Sequence, residues 1–314
     1  MNKIPVVAIV GPTASGKSHL GVELCKRLNG EVISADSMQI YKHMDIATAK
    51  PSAAEMSNIP HHMINFLEPT ESFSVVQYCV MARKSIEDII GRGKLPVIVG
   101  GTGLYIDALL NNIEFPDTQA DLALRERLKK LSAEKGSEFL LNELLEIDPE
   151  TAQYLHTKDI GRIIRALELY YTTGLTMSSH IKMSRLNQSP FEPCLIGLNF
   201  RNRQLLYDRI NNRVDEMLEK GLIEEAKQFF QKYNSGTAKQ AIGYKELYPY
   251  FEGLVELPQA VEKLKQETRR YAKRQLTWFR KNGEINWIYV DDFQTLSEIT
   301  EKAYSIICEC GVGS

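Results

Sequence analysis

The sequence has few cysteines, no long apolar run and no excess of positive charge. Its five cysteines are odd in number and mostly far apart along the 314 residues, which argues against a disulfide framework. The close pair Cys308 and Cys310 has no second Cys or His pair after it, which argues against a zinc site. His61 and His62 lack a third ligand at metal-binding spacing, so we interpret them as structural. No stretch approaches the ~20 apolar residues of a membrane-spanning helix, and the first residues carry no signal-peptide pattern. We therefore expect a cytoplasmic protein.

The charges of the chain nearly balance, with 38 basic and 40 acidic side chains. A nucleic-acid-binding protein of this composition has to concentrate its positive side chains on one surface, because the whole molecule supplies no positive field. Residues 261–281 hold such a concentration, with eight basic side chains against two acidic ones and aromatic residues between them. A solvated helix is the alternative interpretation. The excess of one sign favours RNA binding, with Arg270 and Arg274 on one helical face.

Strands and helices alternate along the first third of the chain. The apolar runs at 6–10 and 95–99 are typical of parallel strands that are buried on both faces, and helical spacing follows each of them. This alternation predicts an α/β fold with a parallel sheet. Helical spacing also predicts a helix over 73–90, with Ser72 as its N-cap, and another over 203–233.

The character of the sequence changes after Pro116. From there to about residue 191 the chain is charged and mainly helical, and an apolar run at 194–200 then returns to the pattern of a buried strand. We predict that residues 1–115 and 192–314 form one core and that residues 116–191 form a mainly helical inserted domain.

A phosphate-binding motif follows the first predicted strand. Residues 11–18 read Gly-Pro-Thr-Ala-Ser-Gly-Lys-Ser and fit G-x-x-x-x-G-K-[ST], between a strand and a helix. Glycines let backbone N–H groups curl around phosphate oxygens, and the helix N-terminus adds partial positive charge. Lys17 reaches a terminal phosphate, and the Ser18 hydroxyl can ligate Mg²⁺. The motif predicts a P-loop NTPase-like core whose phosphate site comprises Gly11, Pro12, Thr13, Ala14, Ser15, Gly16, Lys17 and Ser18.

One carboxylate is well placed beside this loop. Parallel strands bring their carboxyl ends together beside a P-loop, where ligands gather, and Asp36 follows the short predicted strand at 31–34. Asp291 and Asp292 also follow an apolar run, but they lie near the end of the chain, outside the usual order of such motifs. We interpret them as a surface turn after an edge strand.

Further motifs surround these residues and span 11–278 together with the P-loop. They are DSMQIY (36–41), DIATAKP (45–51), HHMI (61–64), VGGTGLY (99–105), RIIRALE (162–168), QAIGYKE (240–246) and AKRQLTW (272–278). In this order the series resembles the bacterial tRNA dimethylallyltransferase family, also called tRNA isopentenyltransferases. The P-loop alone is unspecific, whereas the full series is highly specific.

The resemblance implies a P-loop core with a helical insertion that contacts tRNA, Mg²⁺ as cofactor, and dimethylallyl diphosphate as donor. The acceptor would be the N6 amine of the adenosine 3′ of the anticodon, position 37 of tRNAs that read codons beginning with U. The matching positions are Asp36 as general base, Thr102 near the reacting centre and residues 11–18 on the diphosphate. We expect a monomer. Contacts with the tRNA anticodon stem-loop are implied for Asp36, Ser37, Met38, Gln39, Gly161, Arg162, Ile163, Ile164, Arg165, Gln240, Ala241, Ile242, Gly243, Tyr244 and Lys245.

The chemistry of such a transfer explains the residue types. The lone pair of the adenine amine is delocalised into the ring, so attack on an allylic carbon benefits from a carboxylate that removes the N–H proton. Asp36 is the candidate, with helix capping or an outer-sphere contact to Mg²⁺ as the alternatives. The hydroxyl of Thr102 would face the diphosphate or the amine, with a role in the glycine-rich turn alone as its alternative.

Three other functions share parts of this pattern. A P-loop kinase would use the same phosphate loop with ATP as donor. A prenyltransferase acting on a free adenine nucleotide would need neither the insertion nor the basic helix. A non-catalytic, nucleotide-gated RNA-binding module would bind RNA without needing Asp36.

Overall fold

The computed structural model describes residues 3–113, 121–184, 188–233 and 237–312. It divides into two compact units, a core unit formed by Met1–Leu110 with Pro190–Ser314 and an inserted unit formed by Asn111–Ser189. The boundary predicted between residues 115 and 116 lies outside the described residues.

The core unit is built on a parallel sheet, which confirms the predicted α/β fold. Among the described residues the sheet has six strands in the order β3-β2-β4-β1-β5-β6, and all neighbours run parallel. The strands are β1 (Ile4–Val10), β2 (Gly30–Ser34), β3 (His61–His62), β4 (Leu95–Gly100), β5 (Phe191–Asn199) and β6 (Asn286–Tyr289).

Helices surround this sheet and form the inserted unit. In the described ranges they are α1 (Lys17–Leu28), α2 (Ala53–Met56), α3 (Val75–Gly91), α4 (Gly103–Leu110), α5 (Leu122–Lys135), α6 (Ser137–Ile147), α7 (Pro149–Ala152), α8 (Ile160–Thr173), α9 (Met177–Ser184), α10 (Arg203–Glu219), α11 (Leu222–Lys232), α12 (Tyr248–Phe251), α13 (Leu257–Phe279) and α14 (Leu296–Glu309). Helices α5–α9 belong to the inserted unit. None of the helices in these ranges is long and apolar enough to cross a membrane.

The apolar sides of α1 and α14 pack against the sheet. Leu20 and Leu24 of α1 and Ile307 of α14 share one buried cluster with Ile9 of β1. Each such side chain contributes roughly 1.5–3 kcal/mol when it is fully buried. This packing holds the carboxyl end of β1, and therefore the start of the phosphate loop, in a rigid layer.

A second apolar cluster lies beside the carboxyl ends of the strands. Tyr41, Phe229, Tyr244 and Leu264 are buried in it, and the rings of Phe229 and Tyr244 stack with centroids 4.5 Å apart. This cluster brings the segment that follows β2 next to helices α11 and α13.

The inserted unit has its own apolar core. Leu128, Leu140 and Ile163 are buried together there. Glu168 is 1 % exposed, and one of its carboxylate oxygens accepts a hydrogen bond from Arg165 at 2.7 Å. The unit is therefore stabilised internally by apolar packing, and its buried Glu168 carboxylate pairs with the partly exposed Arg165.

Two helix boundaries differ from those expected. Helix α3 is capped by Ser74, whose hydroxyl accepts a hydrogen bond from the backbone N–H of Gln77, so the predicted cap at Ser72 is wrong. The helical stretch at 203–233 is two helices, α10 and α11, which are separated at Gly221.

The residues interpreted as structural have structural contacts. Asp291 follows the edge strand β6 and accepts the backbone N–H groups of Arg201 and Asn202, both at 2.9 Å, which confirms a surface turn. The Nε2 atom of His62 lies 2.8 Å from a carboxylate oxygen of Glu31.

Candidate active site

The phosphate loop joins the end of β1 to the start of α1, as predicted. Glycine is required at position 11, because a Cβ there would lie 2.5 Å from the carbonyl oxygen of Leu198 and because φ is +142°. Ser15 is 1 % exposed, and its hydroxyl finds no hydrogen-bond partner in the described part of the chain. A buried hydroxyl without a partner points to a polar ligand held by this loop.

Two partly buried cations face the loop. The ammonium of Lys17 donates a hydrogen bond to the carbonyl oxygen of Pro12 at 2.5 Å, and the guanidinium of Arg213 donates one to the Thr13 hydroxyl at 3.4 Å. Burial, and then the charge of Arg213, lower the pKa of Lys17 to about 7, against an opposing effect of Asp36. Burial also lowers the pKa of Arg213. Two desolvated cations side by side favour the binding of an anion.

The depressed pKa of Lys17 predicts that diphosphate binding is coupled to proton uptake. In the protein without ligand, the Lys17 side chain should be mostly an uncharged amine at about pH 8. A bound diphosphate raises the pKa of Lys17, so the amine takes up a proton. Affinity should therefore fall as pH rises above about 7. Titration calorimetry with inorganic diphosphate in two buffers of different ionisation enthalpy measures the protons taken up.

Lys17→Arg is the control for this measurement, because a guanidinium stays protonated over this pH range. Protons that the diphosphate itself gains or loses are the same for both proteins and therefore cancel in the comparison. The variant should take up fewer protons than the wild-type chain. Equal uptake by the two proteins would assign the protons to another group.

Ser18 fits the role of a Mg²⁺ ligand. Its side chain lines the same cavity as Lys17. No three His, Cys, Asp or Glu side chains of the described residues come together as a metal site. Mg²⁺ usually takes one or two protein ligands and completes its shell with phosphate oxygens and water, so the residues present fit a metal that is bound together with a diphosphate.

Asp36 follows β2, which ends at Ser34. One of its carboxylate oxygens accepts hydrogen bonds from the backbone and, in the described ranges, the other does not. Its Oδ1 atom accepts the backbone N–H groups of Met38 at 2.9 Å and Gln39 at 3.3 Å, which fixes the carboxylate plane. Its Oδ2 atom accepts no hydrogen bond from the described residues. The carboxylate can therefore accept a proton from a ligand without losing its anchor.

Thr102 is tied to the Asp36 segment. Its hydroxyl oxygen accepts the backbone N–H of Ser37 at 3.1 Å, and its backbone N–H donates to the carbonyl oxygen of Ala35 at 3.1 Å. The hydroxyl also lies 3.5 Å from the Ser37 hydroxyl, and it is a hydrogen-bond partner of the Tyr271 phenol. Thr102 is therefore tied to the segment that carries Asp36, although it lines neither of the two cavities described below.

Gln275 of α13 joins the phosphate loop to the glycine-rich turn. Its Oε1 atom accepts the backbone N–H of Thr13 at 2.8 Å, and its Nε2 atom donates to the carbonyl oxygen of Gly101 at 3.0 Å. A single buried carboxamide thus fixes the distance between the P-loop and the turn that carries Thr102.

Two neighbouring cavities meet at this point. The larger, about 1160 Å³, is lined by Ser15, Lys17 and Ser18 of the phosphate loop. The smaller, about 250 Å³, is lined by Asp36 and by Tyr271 of α13. The residues that line both cavities are Ala14, Ala49, Arg213 and Met217. These four shared residues form the wall between the two cavities. The larger cavity can hold a phosphate ester, and the smaller one can hold a planar nucleophile beside the Asp36 carboxylate.

The predicted RNA-contacting residues of the core unit fall into two groups. Gln39 is engaged within the chain, because its Nε2 atom donates to the carbonyl oxygens of Thr48 and Ala49. Tyr244 is fully buried, and Arg270 lies outside the lining of the cavities and pairs with Glu267 at 2.6 Å. The smaller cavity is lined by the others, namely Asp36, Ser37, Met38, Gln240, Ala241, Ile242, Gly243, Lys245 and Arg274.

The predicted contacts of the inserted unit also differ in exposure. The side chain of Arg162 is 71 % exposed, and Gly161 is exposed. Ile163 and Ile164 are buried in the apolar core of the unit, so their side chains cannot touch RNA in this conformation. Arg165 is partly exposed and pairs with Glu168.

The roles of three residues could not be predicted from local sequence. Arg213 lies in a charged helix without a motif, and Gln275 lies within AKRQLTW (272–278), where nothing points to the P-loop. Glu225 of α11, which accepts three backbone N–H groups of residues 45–47, resembles any surface glutamate. A helical-face analysis could have grouped Tyr271 with Arg274, but not with Asp36. These residues reach the site only because distant segments pack together.

Comparisons with known proteins agree over nearly the whole chain. The family model described as IPP transferase matches residues 39–282, and the one described as isopentenyl transferase matches residues 4–65. A tRNA dimethylallyltransferase of Caldanaerobacter subterraneus subsp. tengcongensis is 51% identical over 309 residues, which are 97% of this chain and 98% of the relative. One from Bacillus cytotoxicus is 50% identical over 295 residues, 94% of this chain and 93% of the relative.

Solved structures give the same result. The full-length tRNA isopentenylpyrophosphate transferase of Bacillus halodurans is 44% identical, with a TM-score of 0.73 and 98% of each chain covered. A eukaryotic dimethylallyltransferase acting on tRNA is 31% identical, with a TM-score of 0.80 over 98% of this chain and 80% of that chain.

Proposed function

Because the chain belongs to the IPP transferase family, we propose that it transfers a dimethylallyl group to the N6 amine of the adenosine immediately 3′ of the anticodon in tRNA. Dimethylallyl transfer to tRNA is the activity of this chain. The acceptor atom, the acceptor nucleotide and the roles of the residues are the proposal. The observation that carries it is that the cavity at the phosphate loop adjoins a smaller cavity lined by Asp36.

The larger cavity holds the donor in this proposal. The diphosphate of dimethylallyl diphosphate lies in the loop at 11–18, where backbone N–H groups and Lys17 meet its charge. Arg213 stands at the wall toward the smaller cavity and meets the charge that develops as the C–O bond breaks. Ser18 holds Mg²⁺, which when bound neutralises part of the diphosphate charge.

The smaller cavity holds the acceptor base. A base in an anticodon loop is unpaired, so its extrusion into a cavity costs less than extrusion from a duplex. With the adenine amine beside Asp36, the Oδ2 atom accepts an N–H proton as the new N–C bond forms. The allylic C–O bond breaks in the same displacement, and the electron pair leaves with the diphosphate.

Basic side chains extend the acceptor site toward the rest of the RNA. Arg274 lines the smaller cavity, and Arg270 stands one turn before it on α13. Both would meet phosphates of the anticodon loop, since an RNA backbone attracts cations along a helix face. We propose contacts with RNA phosphates for Arg162 and Arg165 of the inserted unit as well.

Thr102→Ala tests whether the Thr102 hydroxyl donates a hydrogen bond to the departing diphosphate, which is the second catalytic role in this proposal. Loss of a hydroxyl that donates to the departing diphosphate should lower kcat by roughly 10²-fold, while Thr102→Ser should retain most of the activity. Steady-state kinetics of both variants provide the measurement. A Thr102→Ala variant with wild-type turnover would leave the hydroxyl with a role in the turn alone.

The proposed function is tested by incubating the protein with Mg²⁺, dimethylallyl diphosphate and total tRNA, followed by mass spectrometry of the digested nucleosides. A prenylated adenosine that maps to the position 3′ of the anticodon supports the proposal. Prenylation at another nucleotide would overturn the assignment of the acceptor. A parallel arm with ATP and free AMP distinguishes a kinase and a nucleotide prenyltransferase.

A further inference from the structure

We propose that Glu225 is a positioning residue that holds both walls of the acceptor cavity in the reactive arrangement. The inference rests on the proposed function, because it concerns the cavity that receives the adenine. Glu225 lies on α11, touches none of the residues 11–18 and has no place in the chemical step itself.

The carboxylate of Glu225 binds three consecutive backbone N–H groups. Its Oε2 atom accepts those of Asp45 at 2.9 Å and Ile46 at 2.8 Å, and its Oε1 atom accepts that of Ala47 at 2.9 Å. Successive N–H groups that point to one place form an anion-binding concavity. Here the chain fills that concavity with its own carboxylate, so the loop is held before any substrate binds.

This loop, residues 45–49, contributes to both cavities. Asp45 and Ile46 line the larger cavity, Ala47 and Thr48 line the smaller one, and Ala49 lines both. A displacement of the loop therefore changes the wall at which the two substrates would meet.

The same carboxylate also holds the opposite segment. The phenol of Tyr244 donates a hydrogen bond to Oε1 of Glu225 at 2.9 Å. Next to it, Gly243 approaches so closely that a Cβ would lie 3.0 Å from the Cβ of Ala47. One side chain thus links the loop at 45–49 to the segment 240–245, and both segments line the smaller cavity.

The remaining contacts of the loop cannot replace Glu225. Gln39 donates to the carbonyl oxygens of Thr48 and Ala49, and the ammonium of Lys50 donates to the Asp45 carboxylate at 2.5 Å. The backbone N–H groups of Ala49 and Lys50 donate to the carbonyl oxygens of Ile46 and Asp45, both at 2.9 Å. None of these contacts accepts the N–H groups of residues 45–47. Glutamine at position 225 would keep the shape of the side chain but present an NH₂ group to backbone donors.

Glu225→Gln should therefore loosen the acceptor cavity more than the phosphate loop. We expect kcat/KM for tRNA to fall roughly 30- to 300-fold, since charge-assisted hydrogen bonds are lost together. The affinity for inorganic diphosphate should stay within about 3-fold of wild type. Tyr244→Phe, which removes one neutral hydrogen bond, should cost about 3- to 10-fold in kcat/KM.

The experiment combines tRNA kinetics, diphosphate calorimetry and amide hydrogen exchange on Glu225→Gln and Glu225→Asp. The exposed neighbour Glu224→Gln is the matched control. Support consists of three results: a drop in kcat/KM for Glu225→Gln that Glu224→Gln does not show, a smaller drop for Glu225→Asp, and faster exchange at the amides of 45–47 without faster exchange in the sheet.

The proposal is overturned if Glu225→Gln keeps wild-type kinetics, if Glu224→Gln shows the same loss, or if amides exchange faster throughout the chain. A wild-type chain that prenylates no adenosine would refute the proposed function instead. In that case, amide hydrogen exchange would still test the role of Glu225. Faster exchange confined to the amides of residues 45–47 in Glu225→Gln supports that role, and unchanged exchange at these amides contradicts it.

Discussion

Replacing Asp36 with asparagine is expected to lower kcat for dimethylallyl transfer by roughly 10²- to 10⁴-fold, the range of general-base catalysis. The substitution is conservative for the fold, because an asparagine Oδ1 can still accept the N–H groups of Met38 and Gln39. Only Oδ2 is replaced, and with it the acceptor for the amine proton. Single-turnover kinetics with saturating tRNA and donor measure the chemical step directly.

The affinities of this variant provide its control. Binding of tRNA and of diphosphate should stay close to wild type, since neither the phosphate loop nor the basic helix is altered. A variant that retains wild-type turnover would show that the amine loses its proton to another group. Loss of tRNA binding together with loss of turnover would assign Asp36 to recognition of the base.

Replacing Arg213 with methionine is expected to lower kcat/KM by roughly 10²- to 10³-fold, as for loss of one preorganised donor to a developing anion. Arg213 lines both cavities and meets no carboxylate within ion-pairing distance in the ranges that the structure describes. Kinetics with the donor varied at saturating tRNA are the measurement. Arg213→Lys should recover part of the loss, because it keeps a cation without the planar fork.

The thermal stability of Arg213→Met should not fall together with its kcat/KM. Methionine removes a partly buried cation that meets no carboxylate at ion-pairing distance among the described residues, so the fold loses no ion pair and no longer bears the cost of desolvating a charge. Thermal unfolding should therefore give an unchanged or higher Tm. Arg203→Met, an exposed change on the same helix, is the matched control and should alter neither quantity. An Arg213→Met variant that loses stability as well as activity would indicate a structural role.

Local patterns were sufficient to predict the sheet and the phosphate loop. The strand, the glycine-rich turn and helix α1 follow one another within 25 residues, and helix α1 spans Lys17–Leu28 as the spacing indicates. Asp36 follows β2 and lines the smaller cavity together with Thr13 and Ala14 of the loop, as expected for parallel strands that end at the same edge of a sheet. Such features depend on neighbours in sequence or on a general rule of topology.

The remaining features depend on contacts across long separations. The bond from the N–H of Asp45 to Glu225 joins residues 180 apart, and that from the N–H of Thr13 to Gln275 joins residues 262 apart. No periodicity relates such pairs. The cap at Ser74 was missed for a different reason: Ser72 and Ser74 are both acceptable caps, and only the glutamine at 77 completes the box with Ser74.

The central claim is that the donor and the acceptor base meet at the wall between the two cavities. A crystal structure of the chain with dimethylallyl thiodiphosphate, Mg²⁺ and an anticodon stem-loop measures it most directly, through the distance from Asp36 Oδ2 to the adenine N6 atom. We predict the diphosphate in residues 11–18 and the N6 atom within hydrogen-bonding distance of Oδ2. An adenine bound away from Asp36, or a diphosphate bound outside the loop, would contradict the account.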